Sequence, residues 1–535
     1  MVTPAELPIN TSASAMQMAN AIFGDGVTVV NASYTGANGS SGIYSNGDSI
    51  APGVTPSDSG VILSTGNAGD ITNSPSSGWG WWSQPNEANE NPDTSTDTSG
   101  RNNDPMFNEA AGTNTYDASF MDVDFIPTGD TMTMQFVFAS EEFPEYQTGI
   151  YQDFVGVWVN GQQVELSVGD GDADPNNLNA TSNENLYIDN ANDQYNTEMD
   201  GFTVTMTLTI PVVPGELNSI RIGIADVVDS QYDSNLLIAG NSIQTTLVAM
   251  DDATTLYPDG SKTVDLLGND INNTGGTLSI TQINGHDVVA GDVVTLATGQ
   301  QVQVNGDGTV TLLGDGDIEN VNFTYEVSSS SGQSDTGFVN VDSVPCFVAG
   351  TLIETPDGHV PVETLSPGDM VLTKDEGAQP LRWIGRRTVA ADGTFAPIRI
   401  AADTFGAHDE VLLSPLHRVL IRDSLAEILF GESEVLVAAR DLVNDRSVRR
   451  IEGGTVDYVH LLFDRHQVIF SGGLETESFL PGPQTASSFE ADIVAEICAL
   501  FPEIDPLTGE GYSPAARRCL KRYEAQLFLQ QARVA

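Results

Sequence analysis

The sequence predicts a mainly β protein built from several domains. Short apolar strands, separated by turns rich in Asn, Gly, Asp and Pro, run from about residue 12 to 248, which is typical of an antiparallel β-sandwich. Short strands with PDG and SPGD turns return between residue 346 and about residue 475. Because 535 residues exceed the size of an ordinary single domain, we expect three or four compact units.

Charge is distributed unevenly along the chain. Residues 1–345 contain 46 acidic residues and only three basic ones, Arg101, Arg221 and Lys262, for a formal net charge of −43. The remaining 190 residues contain 28 acidic and 17 basic residues. Such an acidic surface repels phosphate backbones and anionic headgroups, which argues against nucleic acid and membrane surfaces as partners. It suits divalent cations and high salt, and most of the carboxylates serve solubility.

Three features of the sequence bear on the location of the protein. No run of about 18 apolar residues is present, so no membrane-spanning helix is predicted. The N-terminal stretch MVTPAELPINTSASAM has no basic residue and no apolar core, so a Sec-type signal peptide is not expected. Gly, Asn, Asp, Ser and Thr dominate residues 1–345 as they do in extracellular β-proteins. We therefore predict a secreted or cell-surface protein that is exported without an N-terminal Sec signal, through a type I-like route.

Four segments define the strands of the first predicted sandwich: MTMQFVFAS (132–140), DFVGVWVNG (153–161), FTVTMTLTI (202–210) and SIRIGIADV (219–227). They lie within the longer motifs YDASFMDVDFIPTGDTMTMQFVFASEEFPEY, DGFTVTMTLTIPVVPGE and IADVVDSQYDSNLLI. In these motifs, over about 235 residues, the chain resembles the choice-of-anchor L domain of bacterial exported proteins. The resemblance implies a surface-exposed or secreted β-sandwich, to which we assign residues 1–250.

The next segment, residues 251–345, begins DDATTLYPDGSKTVDLLGND and ends in VNFTYEVSSSSGQSDTGFVNVDSV. It is similar to one Ig-like or cadherin-like repeat of large bacterial exoproteins, which implies an Ig-like β-sandwich that acts as a spacer. Its last predicted strand runs almost directly into Cys346. No long flexible linker is therefore expected at that boundary.

Cys346 opens the third predicted domain, and a cysteine thiolate is the strongest nucleophile among ordinary side chains near neutral pH. Four of the six histidines follow it within a short region: His408, His417, His460 and His466. The motifs CFVAGTLIETPDG, VPVETLSPGDMVLT, GAQPLRWIGRRTV, SPLHRVLI and HLLFDRHQVIFSGGLETESF together resemble the Hint module shared by Hedgehog proteins and inteins. We therefore predict an all-β Hint (horseshoe) domain over residues 346–483.

The last segment, residues 484–535, predicts a helical C-terminal extension. ASSFEADIVAEICALF (486–501) has apolar residues at helical spacing after a Ser in the capping position. SPAARRCLKRYEAQLFLQQA (513–532) places a Pro in its first turn, where the missing amide proton costs nothing. We expect these helices to cover the preceding β-module.

The resemblance to Hint modules implies roles for individual residues. Cys346 matches the family's N-terminal nucleophile, whose thiolate attacks the carbonyl of Pro345 and converts the peptide bond into a thioester. His417 matches the histidine of the T-x-x-H motif, and its imidazole can donate a proton to the departing nitrogen. Ser414 stands where the family has Thr, and either hydroxyl can hydrogen-bond the scissile peptide.

Two further residues complete the predicted site. His466 matches a second histidine of the module and is the candidate for deprotonating Cys346 or activating the acceptor. Asp464, two residues earlier, is the candidate for orienting His466. Full protein splicing requires a terminal His-Asn pair, whereas the corresponding strand here ends GGLETESF. The sequence therefore predicts only the first half of the splicing mechanism.

One acidic motif raises the hypothesis of a calcium site. DGDAD spaces Asp170, Asp172 and Asp174 as the carboxylates of calcium loops are spaced. Pro175 and Thr181 stand where an EF-hand requires Gly and Glu, so a solvated acidic turn is an equal alternative. The histidines of the third domain lack an H-x-x-x-H pair, which argues against zinc. No cofactor is required, and calcium is the candidate ligand.

One aromatic motif raises a second ligand hypothesis. GWGWW groups Trp79, Trp81 and Trp82 within a polar segment. Exposed indoles could stack on sugars or on a partner protein, whereas core packing or a loop anchor is the alternative role.

The function predicted from the sequence is autocatalytic cleavage at Pro345–Cys346, which releases or ligates the N-terminal surface domains. Water or an unidentified nucleophile would accept the acyl group. The alternative is a structural or adhesive exoprotein with an inactive Hint module that binds a cell-surface ligand such as a glycan, or calcium.

Overall fold

The computed structural model describes residues 2–74, 87–89, 94–147, 149–169, 171–256, 261–315, 321–342, 347–391, 396–423, 426–427, 432–444, 446–451, 453–480, 500–501, 512–520 and 525. These residues form mainly β-strands, which confirms the predicted fold class. Within these residues, no helix combines the length and the apolar character that crossing a membrane requires.

The chain divides into two compact units. The first comprises Met1–Asp252, Thr263–Leu312 and Val321–Asn340, and the second comprises Ala253–Lys262, Leu313–Asn320 and Val341–Ala535. Most of the two predicted N-terminal domains therefore belongs to one unit, and the predicted Hint domain belongs to the other.

The first unit begins with a sandwich of two antiparallel sheets. Its strands are β1 (Ile9–Asn10), β2 (Val27–Thr35), β3 (Ser41–Ser45), β4 (Ser59–Ser64), β5 (Thr115–Pro127), β6 (Thr131–Ser140), β7 (Phe154–Val159), β8 (Gln162–Gln163), β9 (Tyr187–Asp189), β10 (Gly201–Thr203), β11 (Met206–Pro211), β12 (Asn218–Val227) and β13 (Ser234–Ala239). The next strand, β14 (Leu247–Val248), pairs with β17 (Ile271–Asn272) in a separate two-stranded sheet. One sheet has the order β1-β3-β4-β13-β6-β10-β9, with β11 also paired to β6, and the other has the order β2-β5-β12-β7-β8.

Apolar side chains from both sheets form the core of this sandwich. Phe136 on β6, Ile222 on β12 and Leu236 on β13 are fully buried in one cluster. The opposite face of β6 is covered as well, because Val137 and Ala139 pack in a second cluster. Strand β6 is thus a central strand with both faces out of water, which explains the apolar run FVFA (136–139) within it.

Three of the four predicted strands coincide with β6, β7 and β12, whereas the fourth, residues 202–210, is divided into β10 and β11. Phe202 pairs with Ala139 and Met206 pairs with Phe136, so three intervening residues oppose two residues of β6. The extra residue is a β-bulge, a long-range feature that strand periodicity does not reveal.

The described part of the first unit contains three short α-helices: α1 (Ala15–Ile22), α2 (Gly47–Ile50) and α3 (Pro105–Ala111). Side chains cap α1 and α3. Ser14 and Gln17 form a reciprocal capping box before α1. Asp104 caps α3, and Gly112 ends it in the left-handed conformation at φ 65°.

The Ig-like segment follows, with ten strands among its described residues. They are β15 (Asp252–Thr255), β16 (Ser261–Val264), β17 (Ile271–Asn272), β18 (Leu278–Ile283), β19 (His286–Asp287), β20 (Val293–Thr295), β21 (Gln301–Val304), β22 (Val310–Leu313), β23 (Val321–Ser329) and β24 (Ser334–Asp342). The order β24-β23-β18-β19 forms one sheet and β22-β21-β20 forms another. Within the first unit, Gln135 Nε2 donates to Asp335 Oδ1 at 2.9 Å, which ties this segment to β6.

The second unit consists of two further sheets. Its strands are β25 (Phe347–Val348), β26 (Leu352–Thr355), β27 (Gly358–Pro361), β28 (Met370–Thr373), β29 (Gly377–Pro380), β30 (Trp383–Ala390), β31 (Ile398–Ile400), β32 (Val411–Leu413), β33 (Arg418–Arg422), β34 (Glu434–Ala438), β35 (Val448–Arg450), β36 (Thr455–Leu462), β37 (Val468–Ser471), β38 (Leu474–Glu477) and β39 (Arg518–Cys519). One sheet has the order β30-β36-β25-β32-β31-β35, and the other contains β27-β26-β37-β38-β33-β34-β39 with β28 and β29 at its side.

The helix predicted from residue 513 is wrong for residues 513–520. This segment is irregular and then forms β39, which pairs in parallel with β34. Its backbone is engaged elsewhere, because the Ala516 amide donates to His466 Nδ1 and the Leu520 amide donates to the Leu436 carbonyl. Tertiary hydrogen bonds here outweigh the local helical propensity. Most of the other predicted helix, 486–501, lies outside the described residues.

We expect Phe136→Ala to destabilise the first unit by about 3–5 kcal/mol, because the substitution leaves a cavity beneath both sheets. Val213→Ala is the matched control. Val213 is 52% exposed, so this substitution should lower the free energy of unfolding by less than about 0.5 kcal/mol. Urea unfolding of the full chain, followed by tryptophan fluorescence, measures both. Equal effects of the two substitutions would contradict the assignment of Phe136 to the core.

Candidate functional site

Strand β25 lies inside the six-stranded sheet of the second unit, directly after the predicted nucleophile in sequence. Phe347 pairs antiparallel with Leu413 on one side and with Val459 on the other. Its side chain is buried in the core of the unit. Pro345 and Cys346 lie outside the described residues.

The segment Ser414–His417 forms a tight turn after β32. The His417 amide donates to the Ser414 carbonyl at 3.1 Å, and Pro415 occupies the second position, which its fixed φ favours. Both Ser414 and His417 are 2% exposed. The turn therefore holds the two predicted residues in one buried loop, and Ser414 directly follows the residue that pairs with Phe347.

The imidazole of His417 packs against the ring of Phe347. The ring centroids are 4.2 Å apart and the ring planes are inclined by 58°. This contact joins two motifs that are 70 residues apart in sequence, from Phe347 to His417. The structure thus brings His417 and Ser414 to the strand that follows Cys346.

A buried ion pair lies beside this loop. Glu477 is fully buried at the end of β38, and its Oε1 accepts a hydrogen bond from the Arg418 amide at 2.9 Å. Its Oε2 lies 3.2 Å from the Arg418 guanidinium and 3.5 Å from His466 Nε2. Glu477 was not among the residues predicted from the sequence.

The pKa of Glu477 is held at about 2 by this surrounding. Burial opposes ionisation of the carboxyl, but attraction to Arg418 and then to His466 and His417 outweighs it. A carboxyl with a lowered pKa stabilises the fold above its unfolded pKa, and this stability is lost as the pH falls from about 4.5 to about 2. Glu477 is therefore an anion at neutral pH.

His466 is buried, and both of its ring nitrogens are hydrogen-bonded. Nδ1 accepts from the Ala516 amide at 2.9 Å, so Nε2 carries the proton and lies 3.1 Å from the Ser478 carbonyl. The His466 amide also donates to Ser513 Oγ at 2.7 Å. The role of His466 as a base stays a prediction, and it would require one of these bonds to break.

Asp464 lies in the exposed turn between β36 and β37. Its carboxylate accepts two hydrogen bonds, each of 2.7 Å, from the guanidinium of Arg382. Its side chain is 51% exposed. The partner of the Asp464 carboxylate in the structure is thus Arg382. The orientation of His466 by Asp464 stays a prediction.

The other two histidines of the region are also buried. His408 Nε2 accepts from the Phe405 amide at 3.2 Å, which places it in a local turn. His460 packs edge-on against Phe479, with ring centroids 5.6 Å apart. Among the residues that the structure describes, no group of three or more His, Cys, Asp or Glu side chains is arranged as a metal centre.

The two ligand motifs of the N-terminal region lie partly outside the described residues. This applies to Trp79, Trp81, Trp82 and Asp170. Asp174 is buried, and its Oδ1 accepts from the Asn177 amide at 2.8 Å, while the Asp172 carbonyl accepts from Asn177 Nδ2 at 2.7 Å. Both contacts are bonds within a turn, and calcium binding at Asp172 and Asp174 stays a prediction.

Comparison with protein-family models matches three parts of the chain. A choice-of-anchor L domain covers residues 8–244, a bacterial Ig domain covers residues 244–342 and a Hint domain covers residues 345–483. The chain therefore contains these three domains in this order. The family resemblances inferred from the motifs are confirmed, and a choice-of-anchor L domain indicates an extracellular or surface protein.

Similar chains among solved structures share little sequence with this protein. The gp41-1 intein is 12% identical, with 25% of this chain and 98% of that chain covered and a TM-score of 0.17. The M60 catalytic domain with CBM51-1 and CBM51-2 of Clostridium perfringens ZmpB is 11% identical, with 85% of this chain and 43% of that chain covered and a TM-score of 0.14. Extracellular domains 3–5 of Drosophila OTK are 10% identical, with 62% of this chain and 86% of that chain covered and a TM-score of 0.16. No curated protein matches the chain significantly.

Glu477 is the residue of the site that motif analysis missed. It lies in the run ETES (475–478), whose four polar residues are typical of an exposed loop. The one available signal was Arg418, a charged residue next to the predicted His417 that needs a partner if it enters the core.

We expect His466→Ala to release the segment 512–520 from the Hint domain, because the substitution leaves the half-buried Ala516 amide without its acceptor. The free energy that holds this segment in place should fall by about 1–3 kcal/mol. Hydrogen exchange of residues 512–520 in the full chain is the measurement, with exposed His359→Ala as the control. Unchanged exchange in His466→Ala would show that His466 does not hold this segment.

Proposed function

We propose that this protein is a secreted or surface-exposed, self-processing protein whose Hint domain cleaves its own Pro345–Cys346 bond. The Hint match supports an autoprocessing role in general. The observation that carries the specific proposal is the packing of His417 against Phe347, the residue directly after Cys346. The pairing of Phe347 with Leu413, the residue directly before Ser414, adds to it.

The first step is an exchange of a peptide bond for a thioester. The Cys346 thiolate forms an S–C bond to the carbonyl carbon of Pro345, and the C–N bond to the Cys346 nitrogen breaks. The thiol proton leaves to a base, and the departing nitrogen takes up a proton to become an amine. Holding the thiol against the carbonyl replaces a bimolecular encounter, an effect that can reach several kcal/mol.

His417 is the residue proposed to protonate the departing nitrogen. An amide nitrogen is a very poor leaving group unless it receives a proton as the bond breaks. His417 lies in the buried loop beside Phe347, and the Glu477 carboxylate is close enough to interact with it. An anion near an imidazole favours its protonated, proton-donating form. Glu477 would act through His417 and is therefore a positioning residue.

The second step is attack on the thioester by water or by another nucleophile. Hydrolysis forms a new C–O bond, breaks the C–S bond and returns the thiol of Cys346. The products are residues 1–345 with a free carboxylate and residues 346–535. The segment GGLETESF, which contains β38, has no Asn of the kind that splicing requires, so release or ligation of the N-terminal part is the proposed outcome.

We expect Cys346→Ala to abolish cleavage completely, because alanine has no nucleophile. Intact mass of the full chain over time measures the result, with and without dithiothreitol, which should accelerate cleavage in the wild type by intercepting the thioester. Cys519→Ala is the control and should cleave normally, since Cys519 is a free thiol that the proposed reaction does not use. A wild-type chain that stays intact under all conditions would favour an adhesive protein with an inactive Hint domain.

We expect Glu477→Gln to slow cleavage by about tenfold or more, because removing the anion disfavours protonated His417. The loss of activity on the alkaline side should move to lower pH, since less of the acid form remains. Glu475→Gln is a matched control on the same strand, where Glu475 pairs with Lys374 and Arg422 instead. A slower rate with an unmoved pH profile would indicate a purely structural role for Glu477.

A further inference from the structure

The segment 512–520 is built into the second unit, although the Hint match ends at residue 483. Its strand β39 pairs in parallel with β34, and Leu520 is buried in the core of the unit. The Tyr512 hydroxyl donates to the Phe463 carbonyl at 2.6 Å. The segment therefore packs against the sheet that carries the candidate site.

The centre of this segment is bonded to His466 twice. The His466 amide donates to Ser513 Oγ at 2.7 Å, and His466 Nδ1 accepts from the Ala516 amide at 2.9 Å. The His466 side chain is 0% exposed. A ring nitrogen that accepts a hydrogen bond does not carry a proton, so a proton can enter at Nδ1 only when the Ala516 amide leaves. The docked segment thus holds His466 as a neutral ring with its proton on Nε2.

The charge of His466 matters because His466 and His417 share one carboxylate. Glu477 Oε2 lies 3.5 Å from His466 Nε2, and the Glu477 charge also interacts with His417. The guanidinium of Arg418, 3.2 Å from the same carboxylate, is a permanent cation. A further cation on His466 would offset the Glu477 charge and disfavour a proton on His417, because nearby like charges oppose each other.

Cys519 on β39 also lies near Glu477 and Arg418. Burial raises the pKa of its thiol, so Cys519 is uncharged at neutral pH and adds no charge to the site. His466 is therefore the neighbour of Glu477 whose charge the segment 512–520 can control.

We propose that the segment 512–520 is a positioning element of the cleavage site. The Ala516 amide keeps His466 neutral, so that the charge of Glu477 is left to favour the protonated form of His417. This inference rests on the proposed function, in which His417 protonates the departing nitrogen. Ala516 acts through His466 and touches no reacting atom, and release of the segment would let His466 take up a proton and would weaken His417 as an acid.

The first test is Ala516→Pro in the full chain, because proline has no amide proton and cannot donate to His466 Nδ1. In chains that also carry Cys346→Ala, and so cannot cleave, NMR of ¹⁵N-labelled histidines follows each ring through a pH titration. We expect His466 to become doubly protonated at a higher pH than in the parent chain, and His417 at a pH lower by about 1. His466→Gln and His417→Gln assign the two signals.

The second test is the pH profile of cleavage in chains that retain Cys346. Ala516→Pro should slow cleavage by about tenfold on the alkaline side, where a titration lower by about one pH unit leaves tenfold less of the acid form. The acid side should stay nearly unchanged. In a His466→Gln background, which cannot hold the extra proton, Ala516→Pro should have no further effect.

Ala515→Pro is the matched control. Ala515 is exposed, and the substitution keeps the Ala516 amide, so both histidines should titrate as in the parent chain. If Ala516→Pro does not fold, the pair Tyr512→Phe and Arg517→Ala replaces it. These changes remove hydrogen bonds that dock the segment to Phe463, Glu434 and Asp375.

Three results would overturn the proposal. They are an unchanged titration of His417 in Ala516→Pro, the same changes in Ala515→Pro, and faster cleavage in Ala516→Pro, which would make the segment a restraint on the site instead. A wild-type chain that never cleaves would contradict the proposed function. The histidine titration would still decide whether the segment 512–520 sets the charge of the site.

Discussion

The pairing of Phe347 with β32 and β36 is the contact on which the Hint domain depends. Burying a phenylalanine side chain contributes about 1.5–3 kcal/mol, and this one lies in the main core cluster of its unit. The same ring supports the imidazole of His417. The core packing and the position of His417 therefore depend on the same side chain. A change that moves Phe347 would disturb the core and would also displace His417.

Charge is handled differently in the two compact units. In the second unit, carboxylates pair with basic side chains: Glu434 contacts Lys374, Arg422 and Arg517 at 2.6–3.0 Å. These partners outweigh the effect of burial and hold the pKa of Glu434 at about 2. The first unit has few basic residues for such pairs, and burial and then the nearby Asp153 raise the pKa of Glu142 there to about 9.

Asparagine replaces the missing basic residues as a hydrogen-bond donor in the first unit. Asn196 Nδ2 donates to the carbonyls of Ala5 and Ile50, and Asn190 Nδ2 donates to those of Thr197 and Met199. These amides lock long loops without adding charge, which explains why an Asn-rich, Lys-poor sequence folds into well-packed sheets.

The sequence by itself determined the β class, the order of the three domains and the closeness of Ser414 to His417 in one short motif, because these rest on local periodicity and on short motifs. Only the tertiary structure decided that Glu477 is a buried anion beside Arg418, that Asp464 binds Arg382, and that residues 518–519 form a strand. Those outcomes depend on partners 50 to 90 residues away in sequence, whose approach is set by strand register and packing rather than by the residues themselves.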